Sequence, residues 1–169
     1  MRYPLALALL LFSTPAAAAT PEEKLAAAGL KLPPADAPVA TFSQTVRTGN
    51  LLFVAGHARC GKEIIKAKVG REFTTEQGYA YAREVGLCLL ASVKADLGEL
   101  SRVKRFVRIM GMVNATPEFT DHPKVMNGFS DLMVLAFGPE GLAARSSMGL
   151  SSLPDGAPVE VEAILELID

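Results

Sequence analysis

Apolar and polar positions along this chain fall into two periods. Over residues 74–97 the apolar positions Tyr79, Ala82, Gly86, Leu89 and Val93 recur every three or four residues, which predicts a helix with one buried face. Thr74 followed by Gln77 reads as a capping box, and Gly98 as the stop. A second helical stripe runs through Val125, Phe129, Leu132 and Ala136. It starts at Asp121, with Pro123 near the first position, and ends at Gly138-Pro139. Residues 103–113 are rich in β-formers and predict a central strand. Residues 42–47 and 51–55 predict a hairpin around Gly49-Asn50. Residues 144–148 and 159–163 predict a second strand pair turning at Asp155-Gly156. Upstream, Thr20-Pro21-Glu22-Glu23 opens a short helix closed by Gly29, and the prolines of residues 31–38 make an extended arm. Residues 56–70 read as a loop with a short strand near Ile64.

The order is β-β-(β)-α-β-α-β-β. Two helices with one stripe each must cover one face of a sheet, giving a two-layer α+β domain with a mixed sheet. The other face would carry Phe106, Met110, Met112 and Ile164, and one chain has no further layer to hide them. A symmetric oligomer would supply one.

Composition changes this picture at the N-terminus. Arg2, the apolar run over residues 5–12 and Ala17-Ala18-Ala19 have the form of a secretory leader over residues 1–19, too short to span a bilayer as a helix. This divides the chain into a leader, a helix and proline-rich arm over residues 20–36, and a domain over residues 37–169, secreted or periplasmic and off the membrane after cleavage. The 17 basic and 18 acidic residues of the 169, less Arg2, leave a formal charge of −2. With lysines and arginines scattered, nucleic acid is disfavoured as a partner. Cys60 and Cys88 permit a disulfide in an oxidising compartment. Cys88 lies away from the apolar stripe of its helix, however, so two free thiols are the expectation. With only His57 and His122 beside them and no C-x-x-C, no metal site is expected.

Strand alternation puts Arg145 and Ser147 on one side of their strand and Glu160 and Glu162 on one side of the next. A guanidinium facing carboxylates can hold a small carboxylate ligand beside a water-handling group, or it can simply form a cross-strand ion pair. Glu162 and Asn114 read as ion-pair and strand-end residues. Met110-Gly111-Met112 reads as core or subunit packing.

Arg145-Ser146, Met148, Leu153-Pro154 and Val159-Glu160, in this order after Phe42, Gly49-Asn50, Ala55-Gly56-His57, Asn114 and Asn127, resemble the RidA/YjgF family of imine deaminases. The resemblance spans roughly residues 37–168. It implies a chorismate-mutase-like fold, a homotrimer with sites between subunits, and no cofactor. The activity it implies is hydrolysis of small 2-imino or 2-enamino acids to 2-oxo acids with release of ammonia. Carried over, Arg145 clamps the substrate carboxylate and Glu160 manages water and its protons. Phe42, Gly56, His57, Asn127, Ser146 and Ser147 would contact substrate. Phe42 stands where many members have tyrosine, Ser147 where cysteine is frequent, and His57 replaces a common glutamine. On its own, His57 reads as a surface loop histidine. The alternative to an enzyme is a non-catalytic small-carboxylate-binding or holdase-like module on the same trimer.

Overall fold

Thr20 and Glu23 exchange hydrogen bonds, side chain to backbone in both directions, and this capping box starts α1 (Pro21–Ala27). Glu22 of α1 accepts from Lys94 Nζ at 3.0 Å and from the Leu100 N–H at 2.9 Å, fastening the N-terminal helix to the main body. The computed structural model describes residues 18–168 apart from 60, 62 and 64. Most of the leader, Cys60 and Ile64 lie outside those described residues. The loop around position 64 shows a short bridge at Val69, to Phe73 and Ala115.

β1 (Thr45–Thr48) and β2 (Leu51–His57) form the first hairpin, with Gly49 at φ +57° in the turn. α2 (Thr75–Leu97) begins with the Thr74–Gln77 capping box and ends at Gly98, φ +86°. β3 (Val103–Asn114), α3 (His122–Phe137), β4 (Ala144–Leu150) and β5 (Val159–Leu167) follow. Asp121 precedes α3 as expected, but its carboxylate takes Lys124 and does not cap the helix.

The sheet order is β1-β2-β5-β3-β4. Neighbours are antiparallel except β3 and β4, which run parallel around α3. The expected β4–β5 strand pair is therefore corrected, because β3 stands between them. Alternation assigns each residue a face but names no neighbour. Residues 151–158 cross the end of β3, where Asn114 holds them: its side-chain amide donates to Ala67 O at 3.1 Å and Gly156 O at 3.4 Å. Asp155, at φ +56°, makes the turn in this crossing.

α2 and α3 cover one face of the sheet. Leu52, Val54, Ile109, Val113, Val161 and Leu165 are buried beneath them. Phe106 also points to this side, against Phe137 at 5.3 Å between ring centres. It was expected on the open face, but the register shift between Phe106 and Arg108 turns it inward. Met110, Met112 and Ile164 do remain on the open face, beside Phe53, which is 41% exposed, and Val46, 56% exposed. Among the described residues no helix is long and apolar enough to cross a membrane, and no cluster of three metal-ligating side chains occurs.

The buried surface of α2 is wider than its sequence stripe. It takes in Cys88, Leu90, Ala91 and Ser92 as well as Leu89 and Val93. Cys88 is disulfide-bonded, which corrects the expectation of two free thiols. The stripe understated how much chain lies over that side of the helix.

Candidate functional site

β2 breaks regular pairing at one place. Val54 faces Ala163 and His57 faces Val161, so three steps on β2 match two on β5 and Ala55-Gly56 bulges. The His57 ring fixes that bulge. It is 7% exposed, with Nδ1 2.8 Å from Ala55 O and Nε2 2.8 Å from Ser92 Oγ of α2. A carbonyl only accepts, so Nδ1 carries the proton and Nε2 accepts from the Ser92 hydroxyl. Burial pushes the imidazole pKa down, against the opposing pull of Ala55 O and Asp36. The surface-loop expectation for His57 is corrected, because the bulge turns the ring under α2.

Gly56 lies directly against Glu160 of β5. A Cβ at Gly56 would overlap Glu160 Oε1, so the missing side chain is what lets the carboxylate rest there. Among the described residues the Glu160 carboxylate makes no hydrogen bond. Burial pushes its carboxyl pKa up, and the neighbouring charge of Glu162 pushes it further. Gly56, His57 and Glu160 line a pocket of about 290 Å³, with Phe42 and Val39 from the arm and Tyr81 from α2. The Tyr81 hydroxyl donates to Ala58 O at 2.8 Å.

Arg145 lies elsewhere. It pairs with Ile109 on β3, whereas Glu160 pairs with Met112. Three residues apart on one strand means opposite faces. Arg145 points to the helix side, where Nη1 donates to Asn127 Oδ1 at 3.0 Å and Ser130 Oγ at 2.8 Å, and Nη2 to Pro123 O at 3.3 Å. Burial pulls its pKa down and nearby Asp131 pulls it up. The expected arginine-facing-glutamate arrangement is thus not formed within one chain. Ser146 pairs with Met110 and Ser147 with Gly111, and neither lines the Glu160 pocket. Glu162, read as an ion-pair residue, has no ion pair among the described residues.

The structure therefore brings together Phe42, Gly56, His57 and Glu160 as one group, and Arg145 with Asn127 as another. Sequence reasoning missed Tyr81, Ser92 and Ser130. Ser92 and Ser130 are ordinary helix positions, whereas Tyr81, next to the stripe residue Ala82, could have been found from its polar tip.

The family described as "YjgF/chorismate_mutase-like, putative endoribonuclease" matches residues 22–158. The chain belongs to the YjgF/RidA family. "Protein TCP17" of Trypanosoma cruzi is 39% identical to it over 142 residues, covering 82% of this chain and 89% of that one. Among solved structures, a "putative endoribonuclease" from Shewanella oneidensis is 32% identical with a TM-score of 0.84, covering 88% of this chain and all of its own. RidA from an Antarctic Psychrobacter is 25% identical with a TM-score of 0.53, covering 79% of this chain and 94% of its own.

Proposed function

We propose that this YjgF/RidA protein hydrolyses 2-imino and 2-enamino acids to 2-oxo acids and ammonia. The observation that carries the reading is Glu160, a half-buried carboxylate without a hydrogen bond, its pKa raised by burial, set beside a glycine in a pocket. A carboxyl whose pKa is raised holds a proton more readily than an ordinary carboxylate, which suits it to take one and return it. Water adds to the iminium carbon, forming a C–O bond as Glu160 takes one proton. The same carboxyl then protonates the nitrogen of the carbinolamine. The C–N bond then breaks as the carbinolamine hydroxyl gives its proton to Glu160 and its C=O bond forms, so ammonia leaves and the 2-oxo acid remains.

The substrate carboxylate needs a cation, and Arg145 is the carry-over candidate. Its hydrogen bonds to α3 use three of five guanidinium donors, leaving donors for a ligand. Because Arg145 and Glu160 lie on opposite faces of one sheet, the reading requires Arg145 of one copy to meet Glu160 of another. The half-exposed apolar side of the sheet supports such a trimer. The leader-like first nineteen residues extend the proposal to an exported enzyme, acting on imines made outside the cytosol.

The test couples an amino-acid oxidase, which generates imino acids, to semicarbazide trapping, which reports their lifetime. Wild type should shorten that lifetime. Arg145→Ala should lose about 30- to 1000-fold in kcat/KM, the loss of a charge-assisted clamp, and Arg145→Lys nearly as much, since an ammonium lacks the planar fork. Glu160→Gln should lower kcat more than it raises KM. If folded Arg145→Ala works as fast as wild type, Arg145 only ties β4 to α3. Binding of 2-oxo acids without turnover would leave the non-catalytic carboxylate-binding module.

A further inference from the structure

Arg59 lies just past the end of β2 and lines the same pocket as Glu160. Its Nη1 lies 3.8 Å from Asp155 Oδ2, too far for a hydrogen bond. Among the described residues Arg59 has no hydrogen-bonded acceptor. Its side chain is nonetheless only 29% exposed, while that of Asp155 is 55% exposed and faces water. Arg145, by contrast, gives its donors to three oxygens, and Arg105 donates to Glu166 at 2.6 Å. A guanidinium that lines a pocket with its planar fork donating to no acceptor is free to take the two oxygens of an arriving carboxylate.

The remaining walls describe the rest of that ligand. Val39, Phe42 and Ile65 are apolar and suit a methylene chain. Of the three acids lining the pocket, Asp36 is engaged by the Gly61 N–H at 3.1 Å, Asp155 lies beside Arg59 at 3.8 Å, and Glu160 is left to face a cationic iminium. The volume of about 290 Å³ exceeds what a three-carbon imino acid fills.

We propose that Arg59 holds a second, distal carboxylate of the substrate, so that the Glu160 pocket prefers 2-imino dicarboxylic acids. For its chemistry this inference rests on the imine-hydrolysis reading above, whereas Arg59 recognition can be measured without turnover. The α-carboxylate remains with Arg145 of a neighbouring copy.

The experiment has a binding arm and a kinetic arm, both on the full mature protein. Calorimetry compares 2-oxoglutarate with 2-oxopentanoate, which match carbon for carbon but differ in the distal carboxylate. Wild type should bind the dicarboxylate at least about tenfold tighter, and Arg59→Ala should bring that ratio close to one. Asp155→Asn removes the competing carboxylate, and asparagine tolerates the positive φ of this position. It should raise the ratio by about threefold or more, an effect of opposite sign that misfolding cannot mimic. In the kinetic arm, imino acids made in situ from glutamate and from norvaline should show the same preference in kcat/KM and the same collapse in Arg59→Ala.

Equal affinity of wild type for the two oxo acids, or a ratio unaltered by Arg59→Ala, would overturn the proposal. So would a loss in Arg59→Ala that strikes both ligands alike, since Arg59 would then hold the α-carboxylate. Selective binding with no hydrolysis of either imino acid would uphold the Arg59 subsite and overturn only the deaminase reading.

Discussion

A methyl group added at Gly56 would run into Glu160 Oε1, the far end of a side chain that can swing away. Gly56→Ala should therefore leave the fold standing while displacing the carboxylate. We expect kcat for imine hydrolysis to fall at least about tenfold with little change in melting temperature, checked by the trapping assay and a thermal melt. His57 makes a different prediction, through stability. Its folded pKa lies below its unfolded value because the neutral ring is buried. The unfolded chain then binds more protons as pH drops, so the stability His57 contributes is present above its ordinary pKa near 6.5 and lost as pH falls through and below it. Glu160 has the opposite sign. Its raised pKa means stability is lost as pH rises through and beyond the ordinary carboxylate range. Melts from pH 3 to 8 should show His57→Gln flattening the loss that sets in as pH falls below the ordinary histidine value, and Glu160→Gln flattening the loss that sets in as pH rises from the ordinary carboxylate range. If neither slope changes, these two groups do not set the pH dependence.

At the scale of elements, the close approach of α2 and α3 depends on Gly128, where a Cβ would overlap the Tyr79 carbonyl. Backbone cannot swing aside as Glu160 can, so Gly128→Ala should cost about 2–3 kcal/mol by overpacking, read from urea unfolding. The helices, their caps and their glycine stops were legible in the sequence because each is a local event: Thr74 with Gln77, or Val125 with Phe129. The first hairpin was legible for the same reason. Strand neighbours were not. Nothing in residues 144–163 records that β5 slips between β2 and β3, because strand order is a long-range pairing and alternation names no neighbour; Asn114 then ties the crossing loop at the end of β3. The candidate site was legible in half. Gly56 and Glu160 carry the family motif and meet in space. Arg59 joins them from a loop with no periodicity, and His57 was misread because a single bulge turned it under α2.

For the whole molecule the decisive fact is that Arg145 and Glu160 occupy opposite faces of one sheet. Under the imine-hydrolysis reading, a single chain has half a site, and the open face with Phe53, Met110, Met148 and Ile164 is where copies would meet. Light scattering of the protein should give three times the chain mass, and Phe53→Glu, which puts a charge on that face, should shift it to monomer. Mass alone does not say which residues cooperate across the interface, but mixing two inactive variants does. Let Arg145→Ala and Glu160→Gln chains be dissociated together and reassembled in equal amounts. A site built across two copies is complete when a chain with intact Arg145 meets a chain with intact Glu160, about half times half of the interfaces in a cyclic assembly. Roughly a quarter of wild-type activity should return. If both residues act from one chain, every chain carries a defect and no activity returns at any mixing ratio. That result, with each variant trimeric and folded, would sink the inter-subunit site even if the enzyme proved to be a deaminase.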